Sequence, residues 1–209
     1  NNPNHRDRVR QIVWDTGFGG DGMEPFFDDI DLFADMLTLY YTDYDSSHNF
    51  LALADGEVAG YLLGCPDTSV YEETMKEEIL PYMLKKLLRG EYKLSRKNLR
   101  YLRRSIMVLL RKEMVPVPLD KYPAHLHIDF DSRFRRIGLG SELINTYLDY
   151  LRGMGVPGVH LGTSTVHKTA LPFYRKLGFT ELGRVRITEH FYLEVSQEDM
   201  YGITFVKKL

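Results

Sequence analysis

Between a predicted strand ending at Phe130 and a predicted helix beginning at Gly138 lies the run Arg135-Arg136-Ile137-Gly138-Leu139-Gly140. Glycines at 138 and 140 let main-chain amides approach a ligand with no Cβ in the way. The first amides of the following helix have no intrahelical acceptor, and the helix dipole favours an anion there. A strand, a glycine turn and a helix N-terminus therefore make a cradle for a pyrophosphate, to which Arg135 and Arg136 add positive charge. The same six residues also read as an ordinary strand-to-helix turn that uses glycine for packing. Just upstream, His125, His127 and Asp129 alternate with Leu126, Ile128 and Phe130, so the three polar groups share one strand face. His127 suits proton removal near neutral pH, because an unperturbed imidazole titrates at about 6.5. The plainer reading is a hydrogen-bonded histidine beneath helices, and His160 invites the same two readings.

The elements that must position these groups follow from periodicity and breakers. Val9, Ile12 and Val13 predict a helix over 5–16, ended by Gly17. Asp28 or Asp29 caps a second helix through about Tyr41, with Leu32, Phe33, Met36, Leu37 and Tyr40 on its inner face. Strands over 49–53 and 58–63 flank Asp55-Gly56, a strong hairpin signal. Residues 66–120 read as an insertion, a helical hairpin joined near Gly90. Its first helix carries Tyr71, Met75 and Ile79 and is kinked or split at Pro81; its second carries Leu99, Leu102, Ile106 and Leu109. A strand over 124–130, a helix over 138–152, a strand over 156–162, a helix over 167–177 and strands over 179–182 and 201–206 complete an α/β (α+β) layering around a mixed sheet. No linker divides the chain, so 1–209 is expected to be a single domain.

Composition narrows the function. Cys65 is the only cysteine, which excludes an internal disulfide framework and a multi-cysteine zinc site, and no metal is expected. No apolar run is long enough to span a bilayer, and Asn1-Asn2-Pro3-Asn4-His5 lacks the apolar core of a signal peptide. A cytoplasmic location and no membrane partner are the expectations. The net charge of −2 conceals an asymmetry: eleven Asp and Glu with no Lys or Arg from Asp15 to Glu57, then eleven Lys and Arg against Glu91 alone from Lys85 to Lys112. The acidic stretch reads as solvated helix surface, or as Asp21, Glu24, Asp28, Asp43 and Asp45 attracting a cationic amine. The basic stretch reads as an exposed face, or as a contact for a cofactor's phosphate, a protein or nucleic acid. Only Tyr92 and Tyr101 accompany it, so specific nucleic-acid reading is not expected. Gly17-x-Gly19-x-x-Gly22 has dinucleotide-fingerprint spacing but follows a helix rather than a strand, and is set aside.

Two motifs together resemble those of the GNAT acetyltransferase superfamily. Residues 135–140 fit its Arg/Gln-x-x-Gly-x-Gly pattern, preceded by strand residues Ile128-Asp129-Phe130. Further on, Ala170-Leu171-Pro172-Phe173-Tyr174-Arg175-Lys176-Leu177-Gly178-Phe179 is similar to its Ala-x-x-Phe-Tyr-x-x-Leu-Gly-Phe segment. Tyr122-Pro123-Ala124-His125-Leu126-His127-Ile128-Asp129, Gly158-Val159-His160-Leu161-Gly162, Thr16-Gly17-Phe18-Gly19-Gly20 and Val58-Ala59-Gly60-Tyr61-Leu62-Leu63-Gly64 more closely resemble bacterial acetyltransferases related to the C-terminal domain of eukaryotic O-GlcNAcase. That similarity covers most of the chain except the insertion.

The resemblance implies a GNAT fold, a central mixed sheet in which two parallel strands splay. It implies acetyl-CoA as acetyl donor and an amine as acceptor, by direct transfer. Main-chain groups of Ile128, Asp129 and Phe130 would meet the pantetheine arm, and amides of Arg135, Arg136, Ile137, Gly138, Leu139, Gly140 and Ser141 the pyrophosphate. Tyr174 would protonate the departing thiolate. His167 stands where many members carry a cofactor-touching asparagine, a departure that histidine can still meet as a donor. With His127 as base the chain is an N-acetyltransferase; without a working base it is a catalytically silent acyl-CoA-binding module. Homo-oligomerisation through the terminal strands is open.

Overall fold

The computed structural model describes residues 3–20, 22–188 and 198–209. Helix α1 (Pro3–Thr16) buries Val9, Ile12 and Val13 as predicted, together with Trp14. Asp29 caps α2 (Ile30–Leu39) by accepting a hydrogen bond from the Leu32 amide. This helix runs on into a π-helical turn, Tyr40–Tyr44, and the consecutive Tyr40 and Tyr41 are both buried. Leu37, expected inside, is 38% exposed: one residue beyond Met36, it is rotated off the inner seam. Strands β1 (Phe50–Ala54) and β2 (Glu57–Cys65) form the predicted hairpin, with Asp55 and Gly56 at φ of +51° and +82° as its tight turn requires.

After the insertion come β3 (Ala124–Phe130), α6 (Leu139–Gly153), β4 (Gly158–Ser164), α7 (Ala170–Lys176), β5 (Thr180–Ile187) and β6 (Met200–Lys208). The six described strands form one sheet in the order β1-β2-β3-β4-β6-β5. Every neighbouring pair is antiparallel except β3 and β4, which are parallel. One face packs on α6 through Leu143, Ile144, Tyr147, Leu148 and Leu151; the other packs on α1, α2 and the insertion around Tyr61 and Phe27. The last strand is interior, so among the described residues β5, not β6, is the edge strand of the C-terminal pair.

The insertion departs from the expected hairpin. It contains α3 (Thr68–Thr74), a π-helical turn Met75–Ile79, α4 (Leu80–Leu88) and α5 (Arg96–Leu110). Pro81 does not break the helix, because the widened turn immediately before it absorbs the missing amide hydrogen bond. Of the expected seam on α5, only Leu102 packs against the core; Leu99, Ile106 and Leu109 are each at least half exposed. The helices of the insertion are held instead by α2 and the segment before it.

That attachment explains the charge asymmetry, which neither reading of the acidic or basic stretch anticipates. Asp35 on α2 is buried and accepts from Arg10 Nη1 at 2.5 Å, Lys86 Nζ at 2.7 Å and Tyr92 OH at 2.5 Å. Asp28 accepts from Ser95 Oγ at 2.6 Å and pairs with Lys93, Asp29 accepts from the Lys93 amide, and Lys97 Nζ donates to the Glu24 carbonyl. Acids of the first quarter thus clamp bases of the insertion. Burial pushes the Asp35 carboxyl up, but hydrogen bonds from Lys86, Tyr92 and Arg10 outweigh it and hold the group below the usual carboxylate range. A depressed carboxylate stabilises the fold above its unfolded pKa and ceases to do so on acidification. Asp35→Ala leaves Arg10 and Lys86 without their shared partner, and urea unfolding at neutral pH is expected to show a loss of about 3–5 kcal/mol. The difference between wild type and variant should shrink as pH falls below about 4; an equal difference at all pH values contradicts this assignment.

Candidate active site

The parallel ladder of β3 and β4 has only two pairs, Ala124 with Val159 and His125 with His160. Beyond them β4 stays paired with β6 through Ser164 and β3 stays paired with β2 through Phe130, so the two strands part company in mid-sheet. Residues 126–130 therefore have a strand neighbour on one side only. A chain in mid-sheet that has lost its ladder partner offers donors and acceptors that an extended ligand can meet. Ile128, Asp129 and Phe130, singled out in the sequence, lie in this opening.

The 135–141 turn lies just beyond the end of β3. Arg136 sits at φ +65° and Gly138 at +97°, so two left-handed residues bend the chain into α6. A left-handed arginine is uncommon, and such strain concentrates at ligand-holding turns. Gly138 is the N-cap of α6, with no side chain to cap the first amides. The Ser141 amide closes on the Gly138 carbonyl at 3.0 Å, whereas Leu139 and Gly140 head the helix, beyond reach of intrahelical acceptors. Ile137 is exposed. Arg135 does not project beside this turn: its Nε donates to the Phe130 carbonyl at 2.9 Å, and its guanidinium lies against Gly20, where any Cβ would touch it. The Phe130 carbonyl is therefore already engaged, while Arg136 remains exposed. The ring of Phe130 lies over Gly60, its partner across the ladder, and a Cβ at Gly60 would strike that ring.

The polar face of β3 divides into two unlike parts. His125 is part-buried with both ring nitrogens engaged, Nε2 with Tyr41 OH and Nδ1 with Thr68 Oγ1, each at 2.7 Å. Burial, then His160 and His127, push its pKa down to about 3, so this ring stays neutral at ordinary pH. His160 bonds the Tyr122 carbonyl through Nδ1 and is lowered by burial. These two fit the plain reading of histidines packed beneath helices. His127 differs: its side chain is 40% exposed, and Nε2 lies 3.2 Å from Asp129 Oδ2. The same Asp129 oxygen accepts from Tyr61 OH at 3.0 Å, so a tyrosine, a carboxylate and an imidazole stand in line.

Tyr61 was not singled out in the sequence. Its role depends on the β2–β3 register, which sets it opposite Asp129, and no local pattern encodes that register. Tyr41 and Thr68 were missed for the same reason, since they reach His125 from the π-helical turn after α2 and from the insertion.

Tyr174, on α7, is buried against Phe173, Phe179 and Phe205. Burial, and then the charge of Asp129, raise its pKa, so the phenol keeps its proton. His167 lies before α7 and is lowered by burial, partly opposed by Asp129. His127, Ile128, Asp129, His167 and Tyr174 all line one cavity of about 1130 Å³, which continues under α5 past Tyr101 and Ser105. Of the acids expected to attract an amine, Asp28 is tied to Ser95 and Lys93, Asp43 to Arg6, Asp45 to Ser47, and Glu24 to Trp14 Nε1. None of these four lines the cavity, and Asp21 lies outside the described residues. No metal-ligating group of three or more His, Cys, Asp or Glu occurs among the described residues.

Residues 110–179, the stretch from the end of α5 through α7, match the acetyltransferase (GNAT) family. The crystal structure of SsHAT superposes with a TM-score of 0.71 at 25% identity, covering 100% of this chain and 95% of that one. The chain has the GNAT fold and carries a GNAT acetyltransferase segment. The ribosomal-protein-alanine N-acetyltransferase of Brucella melitensis shares the fold at a TM-score of 0.58 and 13% identity, over 100% of this chain and 97% of the other. Human N-acetyltransferase 8 is 34% identical over 58 residues, 28% of this chain and 26% of that protein. Mouse N-acetyltransferase family 8 member 3 is 32% identical over 91 residues, 44% of this chain and 38% of its own length. The matches thus span well under half of those two relatives.

The GNAT turn makes one backbone prediction. Gly138→Ala meets open space but must hold φ +97°, so thermal unfolding should show a loss of about 1–2 kcal/mol from strain alone. Gly140→Ala, in ordinary contact with Phe130 and Phe173, should cost less. The reverse order contradicts the turn described here.

Proposed function

We propose that this chain is an N-acetyltransferase: it takes the acetyl group of acetyl-CoA to a primary amine by direct attack. The single observation that carries the reading is the opening of β3 from β4 beside the strained N-terminus of α6. It offers an extended slot for a pantetheine arm next to amides suited to a pyrophosphate. In this reading Ile128, Asp129 and Phe130 hold the arm, and the turn from Arg135 to Ser141 holds the diphosphate, with Arg135 acting through its own main chain. His167 supplies a further polar contact. In this reading residues 1–209 form one acetyltransferase domain with the insertion built into it, and the sequence similarity to O-GlcNAcase-related bacterial acetyltransferases supports kinship with them.

Bound acetyl-CoA supplies a thioester that only a neutral amine attacks, and lysine-like amines have a pKa near 10.4. The chain must therefore remove a proton and hold the nitrogen about 3 Å from the carbonyl carbon. His127 is the group for that task. Its Nε2 faces Asp129, which Tyr61 holds from below; the carboxylate orients the ring and stabilises the imidazolium that proton removal creates. Tyr174 keeps its proton until a thiolate departs and then donates it.

Free-thiol release from acetyl-CoA with a panel of primary amines tests the reading. Tyr174→Phe and His127→Ala are each expected to lower kcat by about a hundredfold or more. Coenzyme A affinity by calorimetry should stay close to wild type in His127→Ala, and the acidic limb of its pH–rate profile should flatten. Asp129→Asn should lower kcat while leaving KM for acetyl-CoA nearly unchanged. Binding of acetyl-CoA with no thiol released above background, for any amine, would contradict the enzyme and leave a silent acyl-CoA-binding module.

A further inference from the structure

The cavity that His127 and Tyr174 line does not end at those groups. It continues between the β4, β6 and β5 part of the sheet and a roof made by α5 and residues 113–119. Its floor is short of side chains: the ladder pairs Gly162 with Thr204 and Ser164 with Gly202 lie along it. Gly202 is already covered by Ile187, and Gly183 on the edge strand by Val115. Gly162 is different. It stands on an interior strand yet is exposed, and a Cβ built on it would meet no atom within 4 Å. Glycine inside a strand weakens the strand and often marks the close approach of a ligand.

The roof is apolar, with Val108, Leu109, Met114, Val115 and Val117 along it. Leu109 and Met114 are 63% and 62% exposed, so apolar surface that the fold leaves uncovered borders this space. Polar side chains of the same lining are mostly spent on the protein. Thr16 Oγ1 donates to the Ile12 carbonyl and Ser105 Oγ to the Tyr101 carbonyl, while Thr68 holds His125 and the Glu113 oxygens accept from Thr188. Arg104, also on the wall, is engaged as well. What stays available is sparse: small hydroxyls on the β4–β6 floor, and the exposed carboxylate of Glu72. Among the described residues Glu72 forms no ion pair or hydrogen bond, and its charge reaches His160.

We propose, resting on the transferase reading above, that this space takes the body of the acceptor and that the acceptor is a small monoamine on an apolar body, an alkyl chain or a single aromatic ring. Its nitrogen is directed to His127, and its body lies over Gly162 beneath Leu109 and Met114. The single open carboxylate, Glu72, attracts one ammonium group. A polyamine would set a second ammonium among valine, leucine and methionine, where nothing compensates its lost hydration. An aminosugar would give up water at several hydroxyls for few partners. An apolar body has no such cost, and it covers the side chains that the roof leaves bare.

Calorimetry of the full chain with hexylamine, 2-phenylethylamine, spermidine and glucosamine, each with and without saturating coenzyme A, reads the pocket apart from catalysis. Hexylamine and 2-phenylethylamine should bind at least about tenfold more tightly than spermidine or glucosamine. The double variant Leu109→Asn with Met114→Asn should weaken hexylamine at least about tenfold, with melting temperature and coenzyme A affinity unchanged. Gly162→Val should weaken hexylamine by a similar factor, because its side chain takes up the open floor. Spermidine or glucosamine bound as tightly as hexylamine overturns the proposal, as does hexylamine affinity that both variants retain, or no hexylamine heat in either state. Thiol release with spermidine or glucosamine but not with hexylamine leaves the transferase standing and overturns this acceptor class. Hexylamine held while coenzyme A is refused overturns the transferase reading and leaves the pocket's preference for apolar amines in place.

Discussion

A parallel strand pair that closes for two residues and then diverges cannot satisfy its own backbone in mid-sheet. Much of the architecture can be understood as holding that divergence open. On the β2 side, an unbroken antiparallel register from Gly60 to Cys65 keeps β3 straight, and Gly60 lets the Phe130 ring lie flat across the ladder. On the other side β6 pairs with β4 along its full length and holds it away from β3. Beneath, α6 fills one face with Ile144, Tyr147, Leu148 and Leu151. Its N-terminus meets the opening at the turn where Arg136 and Gly138 adopt left-handed conformations. Slot and cradle are thus consequences of one packing arrangement.

The insertion is fastened to this scaffold by charge as well as by apolar contact. A buried carboxylate gathers three partners from α1, α4 and the loop after α4, so the insertion is tied to the same helices that cover the polar face of β3. The consequence reaches the site: Thr68, at the start of α3, holds one nitrogen of His125 while Tyr41, in the π-helical turn after α2, holds the other. With that ring neutral and fixed, His127 is the β3 histidine that lines the cavity beside a carboxylate, while His125 lines it with both nitrogens engaged. All three histidines line the cavity, and what separates them is bonding: His125 and His160 are engaged by hydroxyls or a carbonyl, and His127 by a carboxylate.

Much of the fold was legible from residue patterns alone. Alternation marked β3 to the residue, Asp55-Gly56 marked the hairpin, and glycines with helical spacing placed α6 within a residue at either end. The 135–140 turn was readable because its chemistry is local: glycine, helix start and main-chain amides are contiguous. What stayed hidden was non-local. Tyr61 meets Asp129 only through strand register, and Arg135 turns to Phe130 because the 17–20 loop lies beside it. The acid and base runs were visible, but their pairing across more than fifty residues was not, because charge patterns carry no address. Periodicity likewise made Leu99, Ile106 and Leu109 look like a buried seam, since a 3.6-residue repeat reports an apolar face without saying what covers it.

The central claim concerns particular amides, and hydrogen exchange followed residue by residue, with and without coenzyme A, reads them directly. The account predicts new protection confined to the opening, at Ile128 and Phe130 on β3 and at Leu139 and Gly140 on α6, with α4 and α5 unchanged. Saturating coenzyme A that leaves all four amides exchanging as before, or that protects a different surface of the molecule, would contradict it.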